Sequence, residues 1–230
     1  MNVCLRQVND YDEANEVSML IAGTGGLGVV SLTKLMADCL GARFQCVHTE
    51  ETRGIAQRRA PVTSIVRAGR AIRSARLPNG LVDVMLAVEV VEALRAVSHV
   101  GPGTRCVLAD LMIPAAGAMS SSASRISVPG VVEMLEACGA DVLVVPVAQW
   151  LRRERLPEML SASAVFGAIS HLFGYSLEQT EARLIRQVGN RMRLHNIEAV
   201  RIGYGAAQTG SLPRSVERIS RSIDFELVGV

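Results

Sequence analysis

A glycine-rich turn between an apolar run and an amphipathic helix is the feature that most constrains the fold. Residues 17–22 are apolar enough for a buried strand, and residues 21–41 read IAGTGGLGVVSLTKLMADCLG. The turn has the pattern G-x-G-x-x-G, and the following residues have near-helical apolar spacing up to Gly41, the predicted C-cap. Strand, glycine turn and helix in this order predict an anion-friendly site at a helix N-terminus, and a tight turn whose glycines only allow close packing is the alternative. Its residues are Gly23, Gly25, Gly26 and Gly28.

The remainder of the chain alternates predicted strands and helices. The runs VDVMLAVE (82–89), TRCVLAD (104–110) and DVLVVPVA (141–148) are almost continuously apolar. Such runs indicate strands that are buried on both faces of a parallel sheet. From about residue 157 to residue 210 the pattern is helical throughout, with a capping box predicted at Ser176 and Gln179. We therefore predict an α/β fold: a three-layer α/β/α Rossmann-like domain with a mostly parallel sheet and a helical C-terminal third.

The predicted domain organisation is a single α/β domain with two short extensions. Residues 1–16 form an N-terminal arm, residues 17–210 the domain, and residues 211–230 a C-terminal tail. The tail is expected either to reach a partner or to pack back as a last strand. Residues 60–74 alternate enough for a strand and turn, with a possible hairpin at Ala68-Gly69.

A second candidate site cluster follows the predicted second strand, in residues 48–70. Gly54, Gln57 and Arg58 fall in a loop on the same carboxyl edge of the sheet as the glycine turn. Arg58 is suited to bind a carboxylate or phosphate, or to pair with acids of another subunit, although a solvated basic loop is the alternative. Glu50, near the predicted end of strand two, is with Glu51 a candidate ribose-binding acid, although two solvated loop acids are the alternative.

Glu89 is the last candidate site residue. It ends the buried run 82–89, at the working edge of the sheet. An acid at this place either belongs to a site or stabilises the N-terminus of the following helix. The sequence predicts no catalytic residue set, because it contains neither G-x-S-x-G nor H-E-x-x-H and its four histidines have no metal-ligand spacing.

Composition excludes several function classes. A net charge of +2 and 3% aromatic residues argue against a nucleic-acid partner. The five cysteines include no C-x-x-C, which argues against a zinc ribbon or the usual iron–sulfur runs, so no metal site is predicted. The N-terminus is polar and acidic, and no apolar run has the length of a membrane span. We expect a cytoplasmic protein without a membrane partner.

Several motifs in order resemble one family. They are GTGGLG, ETRGIAQRRAPVTSIVR, VDVMLAVEVVEALR, Pro114, AVFGAI and NIEAVRIGYGAA. Over residues 17–208 this order is similar to the gamma-type domain of 2-oxoacid:ferredoxin oxidoreductases, in the form found in the small (beta) subunit of indolepyruvate oxidoreductases. The chain departs from the family pattern at Leu27, at Arg59-Ala60 and near Ala162.

The resemblance implies an accessory subunit that binds no cofactor alone. Thiamine diphosphate, iron–sulfur clusters and coenzyme A are then expected in the complex with a large catalytic subunit. That partner decarboxylates a 2-oxoacid and passes electrons to ferredoxin or a similar acceptor while an acyl-CoA forms. The glycine loop is then an interface turn or an anion site.

The residues leave two alternatives open, and a third family fits less well. A free-standing NAD(P)- or nucleotide-binding Rossmann-like protein would use Gly23–Gly28 and Glu50. A regulatory or scaffolding protein would explain the altered loop residues. The adenylating ThiF/MoeB-like enzymes share G-x-G-G-L-G, but their Asn-Leu-Asn-Arg-Gln-like segment and paired C-x-x-C are missing from this sequence.

Overall fold

The computed structural model describes residues 16–54, 59–113 and 126–209 of the 230-residue chain. Six strands in this part of the chain form one sheet: β1 Val17–Thr24, β2 Cys46–Arg53, β3 Pro61–Gly69, β4 Val84–Ala87, β5 Arg105–Ala109 and β6 Asp141–Val145. Seven α-helices accompany them: α1 Val29–Gly41, α2 Val90–Arg95, α3 Val128–Ala137, α4 Val147–Arg153, α5 Ser161–Leu172, α6 Leu177–Gln187 and α7 Arg193–Gln208.

The sheet is mixed but mostly parallel, with the strand order β2-β3-β1-β4-β5-β6. Strands β1, β4, β5 and β6 run parallel, whereas β3 is antiparallel to both of its neighbours, β1 and β2. β3 runs without interruption to Gly69 and is paired on both sides. The hairpin predicted at Ala68-Gly69 is therefore wrong, because these residues lie inside a strand.

Helices cover the sheet on both faces, which confirms the predicted three-layer α/β fold. One core lies between the sheet and α1, α4, α5, α6 and α7, and it includes Phe166 and Leu143, both fully buried. The other core lies under α2 and α3 and includes Leu108. Alternate residues of β1 serve the two cores, and all of β4 and β5 is buried, as expected for central strands of such a sheet.

The C-terminal third is helical, as predicted, and its centre is a close pair of parallel helices. Ser163 at the start of α5 bonds to Asn196 near the start of α7, and the His171 ring packs edge-on against the Tyr204 ring within the last turn or so of each helix. Between these contacts Gly167 and Gly203 bring the two backbones together, since a Cβ on either would lie within about 2 Å of a carbonyl oxygen of the other helix.

The predicted cap at Gly41 is wrong. Gly41 is the last helical residue of α1, and the C-cap is Ala42, in the right-handed region. The N–H groups of Arg43 and Phe44 both donate to the Leu40 carbonyl at 2.9 Å, so the helix end needs no left-handed residue. The predicted arm and tail lie outside the described residues, except for Glu16, which pairs with Arg67.

Candidate functional site

Two loops meet at the carboxyl edge of the sheet, as the sequence predicts. The glycine loop follows β1, and the second loop connects β2 to β3. The Gly25 N–H donates to the Ala60 carbonyl at 2.7 Å and joins the two loops directly. The second loop is closed at its neck, where the Gly54 N–H donates to the Pro61 carbonyl at 2.9 Å. These two bonds give the edge a fixed backbone framework.

The structural reason for glycine differs from one motif position to another. Gly23 is buried, and a Cβ there would lie 2.2 Å from a Val88 methyl, so this glycine permits close packing. Gly26 and Gly28 have φ values of 97° and 86°, which side chains rarely adopt. Gly26 is exposed, with nothing within 4 Å of the place a Cβ would take. Gly26 is thus the motif glycine that is open for another molecule to approach.

Helix α5 begins directly on the glycine loop. The Leu27 carbonyl accepts the Ala162 N–H at 3.3 Å and the Ser161 hydroxyl at 3.5 Å. A Cβ on Gly28 would lie 3.0 Å from the Cβ of Ala162. Leu27, the residue that departs from the family pattern, is almost fully buried and serves the core under α1.

A groove with a volume of about 180 Å³ opens beside this contact. It lies between the glycine loop, the start of α5 and the segment that joins α6 to α7. Its lining is more apolar than polar and includes Gly26, Ser31, Met159, Val188 and Asn196. Met159 is about half exposed at this edge of the groove.

The described part of the second loop presents one exposed arginine. Arg59 is exposed and has φ 51°, in the left-handed region that non-glycine residues seldom occupy, whereas Ala60 is buried. Gln57 and Arg58, which the sequence selects as ligand- or partner-contacting residues, lie outside the described residues. The structure fixes the two ends of their loop, at Gly54 and Arg59, on the predicted edge.

Glu50 does not lie beside the glycine loop. β2 continues to Arg53, so Glu50 is in the middle of the strand, opposite Ile65 of β3. Because β3 stands between β2 and β1, two strand spacings of about 4.8 Å separate Glu50 from the first strand. Its carboxylate lies 4.0 Å from the Arg76 guanidinium on an exposed face of the sheet. This strand order does not form the acid-to-ribose arrangement of dinucleotide enzymes.

Glu89 lies at the working edge but is engaged by the backbone. It is 99% buried and is the N-cap of α2, where Oε2 accepts the Glu92 N–H at 2.9 Å. Oε1 accepts the Ile113 N–H at 3.0 Å. Burial raises the pKa of the Glu89 carboxyl, and these two backbone bonds act in the opposite direction. The residue thus fixes the segment after β5 against the start of α2.

Sequence analysis missed Asp110, an acid with a comparable position. It follows β5, and its Oδ1 accepts the Ala148 N–H at 2.7 Å near the start of α4. Burial raises the pKa of its carboxyl as well. The signal was present in the sequence, because Asp110 ends the apolar run 104–110 as Glu89 ends 82–89.

Two features are absent from the described ranges. No group of three or more His, Cys, Asp or Glu side chains there is placed to hold a metal ion. No helix in the same ranges is long and apolar enough to cross a membrane.

One family model and several known proteins resemble this chain. The model of the family described as "Pyruvate ferredoxin/flavodoxin oxidoreductase" matches residues 18–206. Among curated proteins, the indolepyruvate oxidoreductase subunit IorB of Archaeoglobus fulgidus is 28% identical over 201 residues, covering 84% of this chain and 96% of that protein. The IorB subunit of Thermococcus kodakarensis is 35% identical over 89 residues, 38% of this chain and 44% of that protein.

Solved structures share the fold. The gamma subunit of a keto/oxoacid ferredoxin oxidoreductase from Geobacter sulfurreducens superposes with a TM-score of 0.59 at 15% identity, covering 84% of this chain and 99% of that one. A 2-oxoglutarate:ferredoxin oxidoreductase from Magnetococcus marinus gives the same TM-score at 20% identity. The match covers 84% of this chain but only 31% of that longer protein.

Proposed function

Because the chain belongs to the pyruvate ferredoxin/flavodoxin oxidoreductase family, we propose that it is the accessory subunit of an indolepyruvate-like 2-oxoacid oxidoreductase. The partner in this proposal is a larger catalytic subunit that holds thiamine diphosphate and iron–sulfur clusters. That subunit decarboxylates the 2-oxoacid oxidatively and transfers electrons to ferredoxin or a similar acceptor, while coenzyme A takes the acyl group. The complex is cytoplasmic in this proposal.

The family match over residues 18–206 is the observation that carries the proposal. The curated relatives with long coverage are named as subunits, and the A. fulgidus protein is matched over 96% of its length. The M. marinus enzyme was solved with 2-oxoglutarate, coenzyme A and succinyl-CoA bound, and this chain corresponds to 31% of it. These relationships support a role as one part of a larger oxidoreductase.

We propose the two-loop edge as the surface that contacts the partner or a ligand at the shared active site. Gly26 offers an open backbone, and the adjacent loop carries Gln57 and Arg58 between fixed ends. An arginine on such a loop suits a carboxylate or phosphate, because its planar guanidinium donates two parallel hydrogen bonds. Gly23 and Gly25 act in this proposal by holding the edge in shape.

The remaining candidate residues support this edge from within or lie apart from it. Gly54 closes the loop that carries Arg58, because its N–H bonds to Pro61. Gly28 seats α5 on the glycine loop. Glu89 positions the segment that ends at Ile113, and Glu50 offers a carboxylate on the exposed face of β2.

The proposal is tested with Arg58→Ala in the complex reconstituted from both subunits. Losing charge-assisted hydrogen bonds at an interface or ligand costs about 1.5–3 kcal/mol, or roughly ten-fold or more in affinity or turnover. Arg73→Ala is the matched control, because Arg73 is an exposed arginine outside the two loops. Full 2-oxoacid oxidation by the Arg58→Ala complex would show that this loop makes no functional contact.

A free-standing nucleotide-binding protein is the second candidate, favoured by the open, positive-φ backbone at Gly26 beside the N-terminus of α1. It requires dinucleotide binding by the chain alone, with an affinity that falls in a Gly26→Val variant. The absence of calorimetric heats when NAD or NADP is added to the wild type would dismiss it.

A further inference from the structure

The outer edge of β2 is long and unpaired in the described part of the chain. β2 pairs with β3 through eight consecutive residues, and no strand among residues 16–54, 59–113 and 126–209 lies on its other side. Residues 48–53 are all exposed. The strand contains no proline, glycine or bulge. Natural proteins usually cover or interrupt an edge of this length, because its free N–H and C=O groups invite another strand.

The helix-covered face beside this edge is only partly closed. α1 packs over β2 and β3, and Val47 of β2 joins the core beneath it while remaining half-buried. Val30 and Ala37 of α1 and Phe44 of the following turn are also half-buried at the margin of this core. An additional strand beyond β2 with apolar side chains on this face would bury more of these groups.

The tail contains a segment with the pattern of such a strand. Residues 219–227 read ISRSIDFEL, and residues 223–227 alternate between apolar and acidic side chains. Such alternation is typical of a half-buried strand. One face carries Ile219, Arg221, Ile223, Phe225 and Leu227, and the other carries Ser220, Ser222, Asp224 and Glu226.

The end of α7 lies on the side of the sheet where β2 begins. α5 starts on the glycine loop at the carboxyl edge and ends next to Phe173, whose carbonyl accepts from Arg43 just before β2. α7 runs parallel to α5, so its last residue, Gln208, lies at the same edge of the sheet as the end of α5 and the start of β2. Residues 210–218 span at most about 30 Å when extended, at about 3.3 Å per residue, which gives the segment its reach.

From these observations we propose that residues 219–227 pair with the outer edge of β2 of the same chain as a seventh strand. The four apolar side chains of the segment face α1 and cover Val47 and its half-buried neighbours. This inference is independent of the proposed oxidoreductase role, because it concerns the isolated chain.

Hydrogen–deuterium exchange of the full-length chain tests the pairing. If the segment pairs with β2, the amides of residues 46–53 that point away from β3 should exchange slowly. Ile223→Pro removes a backbone N–H that would donate to β2 and disfavours a continuous strand. It should increase the exchange rate of those β2 amides at least ~ten-fold. Phe225→Asp should do the same by placing a charge on the apolar face. Ser215→Pro, outside the segment, is the matched control and should change nothing.

Three outcomes would overturn the proposal. The first is identical exchange of β2 in the wild type and in both segment variants. The second is protection that weakens on dilution together with a dimer mass in native mass spectrometry, which would assign the edge to a second copy. The third is protection that survives Ile223→Pro but is lost when residues 1–15 are altered. Exchange of β4 is the internal control, because unchanged β4 amides show that the variants remain folded.

Discussion

Replacing Gly203 with alanine should destabilise the protein, although alanine is the better helix former. A Cβ on Gly203 would lie 1.9 Å from the Ala164 carbonyl oxygen and 3.1 Å from the Ala168 nitrogen. Both atoms belong to the backbone of α5, so no side-chain rotation relieves the contact and the helices must separate. Overpacking of this kind costs about 1–3 kcal/mol, against a gain of up to about 1 kcal/mol from helix propensity.

Gly205 in the same helix is the matched control. Nothing lies within 4 Å of the place that a Cβ would take there, so Gly205→Ala should gain up to about 1 kcal/mol in the free energy of unfolding. The two variants should therefore differ by roughly 1–3 kcal/mol, or about 2–12 °C in Tm at about 2–4 °C per kcal/mol. Thermal and urea unfolding of the full-length variants measures this. A Gly203→Ala variant as stable as Gly205→Ala would refute the close α5–α7 contact.

Three further substitutions test other parts of the structure. Glu89→Gln should lower stability, because an amide offers one acceptor where two N–H groups now bond. Because the pKa of Glu89 is raised in the folded protein, the stability that its protonated carboxyl contributes is present at low pH and lost as pH rises through that pKa. Melting curves from about pH 4 to 8 should therefore show the Tm difference between the wild type and Glu89→Gln becoming smaller as pH rises. A Tm difference that grows with pH would contradict this. Gly28→Ala should cost about 1–2 kcal/mol, seen as a lower urea midpoint, because φ is 86° and Ala162 is close. Tyr175→Phe should cost about 1 kcal/mol by losing the bond to the Cys39 carbonyl, and an unchanged urea midpoint would refute that contribution.

The local parts of the fold follow from the sequence. The buried strands were readable because continuous apolar runs suit central parallel strands, and β4 and β5 are indeed fully buried. The capping box at Ser176 and Gln179 forms as predicted at the start of α6. The glycine turn was predicted from its own spacing, since the φ values of Gly26 and Gly28 are a local backbone property.

Long-range features did not follow from local pattern. The antiparallel insertion of β3 between β1 and β2 depends on strand pairing across the chain, and it removes Glu50 from the glycine loop. Helix α4 was missed because seven residues after a proline give too little periodicity. Gly167 and Gly203 look unfavourable within a helix, and only the tertiary contact between α5 and α7 explains them.

Native mass spectrometry of the tagged protein from its own cells shows whether this chain works as one subunit of a larger oxidoreductase. The expected result is a complex with a much larger subunit that carries thiamine diphosphate and iron–sulfur clusters. The 2-oxoacid oxidation activity is expected in the same fraction as this complex. A lone monomer or homodimer that binds a dinucleotide would rule out the subunit role.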